Sequence, residues 1–86
     1  MAVYSIFFKD SVRNDLDSIT KNDLQRIIER IRTLAEEPRP VGCEKLSGQE
    51  KYRVRQGTYR IIYSIQVTEL TVWVVKVGHR REVYRT

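Results

Sequence analysis

Two short runs near the C-terminal end of this chain combine arginines with tyrosines. Residues 51–86 hold 8 Lys/Arg against 2 Asp/Glu, a net charge of +6, whereas residues 1–50 hold 8 against 9, a net charge of −1. Arginine holds phosphate oxygens in bidentate hydrogen bonds and stays protonated. The asymmetry therefore points to a phosphodiester ligand, RNA or DNA. The two runs are Lys51-Tyr52-Arg53-Val54-Arg55 and Gly78-His79-Arg80-Arg81-Glu82-Val83-Tyr84-Arg85.

The first run has the alternation of a β-strand, which sorts its side chains between two faces. Arg53 and Arg55 point the same way, and we expect Lys51 to be solvated and to lie on the opposite face. Arg60 begins the next strand, and whether it shares the face of Arg53 and Arg55 depends on the register of the hairpin. If the strands pair in sequence order, the tail adds further groups to one concave patch. These groups are Arg80, Arg81 and Tyr84. The alternative is that the strand arginines are merely solvated and blunt edge pairing.

Two residues are candidates for acid–base chemistry. His79 follows a glycine at the end of a strand, so we expect it to be exposed and to titrate near neutrality. Glu50 lies beside the basic strand, as a general base or as a salt-bridge partner.

Trp73, in an apolar strand, is most simply a core residue, although it could lie at a partner interface. With one His and one Cys in the chain, no zinc site of several such ligands can be built, and no cofactor motif is present.

The pattern of elements predicts a single α+β domain over residues 1–86, with the order β-α-α-β-β-β. Strand-like segments occupy residues 3–8, 52–55, 59–67 and 70–77, and the last is expected to be central and covered on both faces. A first helix carries the apolar stripe Val12, Leu16, Ile19, and a second begins after Thr20 and ends before Pro38. We expect an antiparallel sheet with this helical hairpin on one face, and a loop over residues 39–48.

The sequence also gives an expectation about the cellular compartment in which the protein acts. No apolar run reaches the roughly 18 residues that would suggest a membrane span, and no signal peptide is visible. The single cysteine, Cys43, allows no internal disulfide and fits a reducing compartment. We therefore expect a cytoplasmic protein that does not act at a membrane.

Five segments, read in order and at their spacing, carry a more specific pattern. They are Leu34-Ala35-Glu36-Glu37-Pro38-Arg39-Pro40, Leu46-Ser47-Gly48, Tyr52-Arg53-Val54-Arg55, Gly57-Thr58-Tyr59-Arg60-Ile61-Ile62-Tyr63 and Val77-Gly78-His79-Arg80-Arg81-Glu82-Val83-Tyr84-Arg85. Together they cover much of the chain and resemble the RelE branch of the RelE/ParE toxin superfamily. The fold of that family matches the order of elements given above.

The resemblance implies the toxin of a type II toxin–antitoxin pair. RelE-type members enter the ribosomal A site and cleave messenger RNA there without a metal or other cofactor, through attack by the RNA's own 2′-hydroxyl. The implied partners are a cognate antitoxin, messenger RNA on the ribosome, and operator DNA through the toxin–antitoxin complex.

When the family's catalytic positions are carried over to this sequence, the resemblance implies five catalytic residues. They are Arg53, Arg55, Arg60, Arg80 and Tyr84. His79 and Glu50 are the acid–base candidates, and Lys51, Arg81 and Arg85 would contact RNA.

One departure keeps rival functions open. The best-known RelE has lysines at the positions of Arg53 and Arg55, and a lysine can lose its proton to act as a base whereas an arginine cannot. His79, Tyr84 or Glu50 would then supply the base, or the patch acts by electrostatics alone. The alternatives are a ParE-like inhibitor of DNA gyrase without nuclease activity and an inactive relative that only binds its antitoxin.

Overall fold

The computed structural model describes residues 3–46, 48 and 50–79. The predicted features at Ser47 and from Arg80 to the C-terminus, including Arg81, Tyr84 and Arg85, lie outside the described residues. Within those residues the helices are α1 (Asp10–Asp17) and α2 (Lys21–Thr33). The strands are β1 (Ser5–Phe8), β2 (Glu44–Lys45), β3 (Lys51–Gln56), β4 (Tyr59–Gln66) and β5 (Thr71–His79).

The strands form one sheet in the order β1-β5-β4-β3-β2. β3, β4 and β5 pair antiparallel in sequence order, as predicted, but β1 pairs parallel to β5. The sheet is therefore mixed rather than wholly antiparallel. Both helices and the strands β2 to β4 lie between β1 and β5 in the sequence, and β5 then runs beside β1 in the same direction. The short β2, in the segment predicted as a loop, adds an edge strand against β3.

One face of the sheet is covered by both helices, which confirms the predicted helical hairpin. Val12 of α1 and Ile27 and Ile31 of α2 are at most 1% exposed. They belong to one hydrophobic core with the residues of alternate positions on the strands. The strand residues of this core are Tyr52, Val54, Ile61, Tyr63, Val72, Val74 and Val77. Burial of these apolar side chains is the main source of stability in so small a domain. Neither helix of the described part of the chain is long and apolar enough to cross a membrane.

The outer edge of β5 changes neighbour part-way along its length. β1 ends at Phe8, opposite Val74, so within the described residues β5 has no strand beyond that point on this side. Beyond this point Asp15 of α1 contacts the edge of β5 in place of a strand. One of its carboxylate oxygens accepts a hydrogen bond from the Val77 backbone N–H at 3.2 Å, and the other pairs with Lys76 Nζ at 3.0 Å. An edge N–H is thus capped by a helix side chain.

A register shift between β4 and β5 decides which way the side chains of β5 point. Tyr63 pairs with Val74 and Ile62 pairs with Lys76, so Val75 is an extra residue on β5. Such a bulge reverses the alternation of the strand beyond it. Val74 and Val77 consequently both face the core, while Trp73 faces away and is 37% exposed. The expectation that this strand is covered on both faces and that Trp73 is a core residue is therefore wrong.

Candidate nucleic-acid interface

The arginines of β3 lie on the face of the sheet opposite the helices. Tyr52 and Val54 are buried in the core, whereas Arg55 is exposed and Arg53 half-buried. We call this the arginine face and define it by Lys51, Arg53, Arg55 and Arg60, which the strand register places on the same side. Lys51 pairs with Ser64 and stands two residues from Arg53, so the expectation that it points to the opposite face is wrong.

A two-residue turn fixes the position of Arg60. Gln56 pairs with Tyr59, and Gly57 between them has a φ of +62°, a conformation that glycine adopts without strain. This register sets Arg60 directly opposite Arg55, and it also pairs Arg60 with Gly78 of β5. The question that the sequence left open is settled: Arg60 shares the face of Arg53 and Arg55.

Arg55 and Arg60 are an unusual cross-strand pair. Like charges directly opposite each other destabilise a sheet, and a buried cation is costly to desolvate. Arg60 is nevertheless only 2% exposed, and Arg55 beside it is open to solvent. The register therefore places one buried and one exposed arginine side by side on the arginine face at the hairpin end of the sheet.

Arg53 shares the arginine face but is held by an acidic side chain. Its guanidinium donates to a Glu44 carboxylate oxygen of β2 at 2.5 Å, and only 13% of the Arg53 side chain is exposed. The register explains the contact, because Glu44 and Arg53 are direct partners on β2 and β3. The sequence analysis missed Glu44, since β2 is too short to recognise as a strand.

A cleft of about 290 Å³ opens at the hairpin end of the sheet. Its lining combines groups from both faces, because the strands end here. His79 pairs with Tyr59 on the helix-facing side, and the two rings make an edge contact with centroids 5.6 Å apart. The lining residues of this hairpin cleft are Arg55, Gly57, Thr58, Tyr59, Arg60 and His79. His79 is exposed, as predicted, and it meets Arg55 and Arg60 at this cleft.

Glu50 lies apart from the hairpin cleft. Its side chain is 90% exposed, and its carboxylate is 3.9 Å from Lys45 Nζ. It precedes the first residue of β3, whereas Arg55 stands near the other end of that strand, about 16 Å away at the rise of an extended chain. The structure therefore brings His79, and not Glu50, to the two arginines of the cleft.

The helix-facing side supports the strands of the site through two tyrosines. Tyr63 is fully buried, and its hydroxyl donates to the Pro38 carbonyl oxygen at 2.7 Å. Burial raises the pKa of Tyr63 above its usual value. Arg39 Nε donates to the Tyr52 hydroxyl at 3.2 Å, and this hydrogen bond raises the pKa of Arg39. The loop after α2 is thereby tied beneath β3 and β4.

Thr58 and Tyr59 are cleft residues that the sequence analysis did not assign to the site. Their signal was present, because a two-residue turn with glycine first sets the register of the strands that it joins. Applying that register from Gly57 would have placed Tyr59 and Arg60 at the mouth of the cleft.

Comparison with known proteins places this chain and its fold in a family. A family model described as the ParE toxin of type II toxin–antitoxin systems matches residues 6–84. The chain belongs to this family. Toxin RelG of Mycobacterium tuberculosis is 33% identical over an alignment of 86 positions that covers 95% of this chain and 97% of RelG. The resemblance to the RelE/ParE toxins, inferred above from sequence segments, is thus confirmed.

Solved structures of RelE-type toxins share the fold of this family member. The toxin–antitoxin complex RelBE2 of M. tuberculosis contains a chain with a TM-score of 0.82 and 28% identity, covering 92% of this chain and 100% of that one. The archaeal RelE–RelB complex of Pyrococcus horikoshii gives 0.81 and 30%, covering 91% and 96%. The isolated Escherichia coli RelE toxin, at 23% identity with a TM-score of 0.78, shares the fold, covering 95% and 92%. The α+β fold class is therefore confirmed.

Proposed function

We propose that this family member is a ribosome-dependent endoribonuclease that cleaves messenger RNA in the A site and so inhibits translation. The observation that carries the proposal is the Arg55–Arg60 pair at the mouth of the hairpin cleft. Two arginines directly opposite each other on adjacent strands suit a phosphate on which negative charge increases during reaction. The similarity to RelE-type toxins supports RNA as the source of that phosphate.

The proposed chemistry is the one that the resemblance to RelE-type toxins implies, and the groups at the cleft suit it. Attack of a 2′-hydroxyl on the adjacent phosphate passes through a dianionic phosphorane and leaves a cyclic phosphate and a 5′-hydroxyl. An arginine placed to bind the phosphorane more tightly than the ground state contributes roughly 2–4 kcal/mol, by analogy with oxyanion-hole donors. Arg53, Arg80 and Tyr84 complete the proposed catalytic set, and Lys51, Arg81 and Arg85 are the proposed RNA contacts.

His79 is the favoured acid–base group. Arginine stays protonated at all accessible pH values, so Arg55 and Arg60 cannot remove the proton from the 2′-hydroxyl. An imidazole can serve as a general base or a general acid. His79 lines the hairpin cleft with both arginines, which favours it over Glu50.

Neutralisation by a cognate antitoxin completes the proposal. The solved RelBE2 and archaeal structures are toxin–antitoxin complexes. The net charge of +5 on this chain suits an acidic partner that covers the arginine face and, within the complex, binds operator DNA. The proposed setting of both activities is the cytoplasm.

The test compares messenger cleavage on purified ribosomes among wild type, Arg55→Gln and Arg60→Lys. Both substitutions should slow cleavage by about 100-fold or more, since a lysine at position 60 would keep the charge but lose the bidentate fork. Arg26→Gln, an exposed arginine on α2, is the matched control and should cleave normally. Product ends that are not cyclic phosphates, or full activity of both cleft variants, would contradict the proposal.

The matching family model, described as the ParE toxin, favours gyrase inhibition as the second candidate. Supercoiling by purified gyrase should be measured with the same preparations. Inhibition of gyrase without cleavage on ribosomes would assign the second function. Neither activity from folded wild-type protein would support the inactive, antitoxin-binding alternative.

A further inference from the structure

Four side chains form a single row across the arginine face, away from the hairpin cleft. Phe7 of β1 pairs with Trp73 of β5, Trp73 pairs with Ser64 of β4, and Ser64 pairs with Lys51 of β3. Direct cross-strand partners point to the same side of a sheet. The row therefore runs from two aromatic rings through a hydroxyl to an ammonium group.

The aromatic end of this row is flat and open to solvent. The rings of Phe7 and Trp73 stack with centroids 5.1 Å apart and planes 25° from parallel. Phe7 is 43% and Trp73 37% exposed, although large aromatic side chains are usually covered in a protein interior or an interface. The pairing of β1 with β5 explains why the rings touch each other, but it does not explain why their outer surfaces are left uncovered.

The row lies on the same face of the sheet as the proposed cleavage site, one or two rows of side chains away. Arg53 stands one row further along β3, about 7 Å from the Lys51 row, and Arg55 and Arg60 stand about 13 Å away. Neighbouring strands are about 4.8 Å apart, so Trp73 and Lys51 are separated by about 10 Å across the face. A single RNA strand presents nucleobases and phosphates in alternation, and the face presents rings and cations over a comparable span.

We propose that Phe7 and Trp73 form a stacking platform for a nucleobase of single-stranded RNA, and that Lys51 and Ser64 contact the backbone of the same strand between the platform and the arginines. This inference rests on the proposed function, because it extends the RNA path from the hairpin cleft. The cations on the same face of the sheet as the rings favour RNA over an apolar partner. Stacking tolerates any base sequence, so the platform would hold RNA without selecting a codon.

Trp73 is the only tryptophan of the chain and reports on its own contacts. The full-length protein is titrated with a 2′-O-methyl hexaribonucleotide, which cannot be cleaved, while tryptophan fluorescence is recorded. We expect saturable quenching. The same backbone carrying abasic sites in place of its bases should bind at least about fivefold more weakly and leave the fluorescence nearly unchanged. Equal quenching by both oligomers would show that phosphate contacts alone are sensed and would overturn the platform.

Two variants of neighbouring phenylalanines sharpen the test. Phe7→Leu removes a ring of the platform and should weaken binding of the hexamer by about fivefold or more, measured by anisotropy of labelled RNA. Phe8→Leu is the matched control, because Phe8 is the next residue of β1, is 41% exposed and faces the helix side with Val74. Equal affinities of the two variants would overturn the proposal, provided that thermal unfolding shows both to be folded.

The result is separable from the test of nuclease activity. If Arg55→Gln abolishes cleavage while Phe7→Leu alters neither RNA affinity nor cleavage, the platform is wrong and the proposed function stands. If the hexamer quenches Trp73 but ribosomal messenger is not cleaved, the platform stands and the nuclease assignment fails. Quenching by an acidic polypeptide and not by RNA would reassign the rings to a protein interface and overturn the inference.

Discussion

The contact between Glu44 and Arg53 is the one that bears most directly on the proposed RNA binding. The carboxylate occupies the guanidinium that a phosphate would otherwise approach. Glu44→Gln removes this competition, and we expect RNA affinity to rise by up to about fivefold, which corresponds to the roughly 1 kcal/mol upper range of partly exposed ion pairs. Anisotropy of labelled single-stranded RNA measures the change.

A matched control separates the contact from its effect on net charge. Glu36→Gln removes one negative charge from an exposed side chain beyond the end of α2. If both variants gain affinity equally, the cause is the net charge of the molecule and not the loss of the contact between Glu44 and Arg53.

Tyr63 links the protonation of one buried group to stability. Burial raises its pKa, so the folded protein keeps a phenolic proton that the unfolded chain releases above about pH 10. Unfolding therefore becomes easier as the pH rises beyond that point, by up to about 1.4 kcal/mol per pH unit. Urea unfolding at about pH 8 and at about pH 11 should show a steeper loss for wild type than for Tyr63→Phe.

The stability of Tyr63→Phe at neutral pH gives a reference for its pH profile. At neutral pH Tyr63→Phe should be less stable than wild type by about 1 kcal/mol, because the hydrogen bond to Pro38 is lost. Parallel pH profiles of the two proteins would show that Tyr63 does not titrate differently on unfolding.

At the scale of elements, α1 completes the edge of β5 where β1 stops. Asp15→Ala removes both the ion pair with Lys76 and the acceptor for the Val77 N–H. We expect a loss of about 1–3 kcal/mol in the free energy of unfolding, because a partly buried donor and a cation are left unsatisfied. Asp17→Ala, an exposed acid at the end of the same helix, should cost much less in the same urea titration.

This edge also connects stability to the candidate site. Val77 is followed directly by Gly78 and His79, which line the sheet end beside Arg60. Asp15→Ala should therefore reduce cleavage as well as stability. Normal cleavage by a destabilised Asp15→Ala protein would show that the position of His79 does not depend on this cap.

For the whole molecule, we expect the uneven distribution of charge to set the salt dependence of the proposed RNA binding. For a single strand, the slope of log association constant against log salt concentration changes by about 0.7 for each phosphate contact. Arg55→Gln and Lys51→Gln should each make the slope shallower by about that amount. Arg26→Gln on the helix side should leave it unchanged, and an equal effect of all three would indicate binding by net charge alone.

The sequence was sufficient for both helices and for every strand of the described residues except the two-residue β2, because the signals of these elements are local. Apolar spacing marked both helices, alternation placed Arg53 and Arg55 together, and glycine at position 57 marked the hairpin turn. The residue types of the candidate site were also chosen from local sequence, since guanidinium groups beside tyrosines suit a phosphodiester ligand. Family membership followed from the same segments and is confirmed by the match over residues 6–84.

The pairing between strands that are distant in sequence could not be predicted from such local signals. The parallel partner of β1, the Glu44–Arg53 contact and the burial of Arg60 all depend on which strands meet and in what register. Trp73 is the clearest case. By alternation it belongs with Val77 in the core, and only the extra residue Val75 turns it outward beside Phe7. The sequence alone determined which residues carry charge and rings. The long-range register of the sheet, with one bulge, decided which of them share a surface.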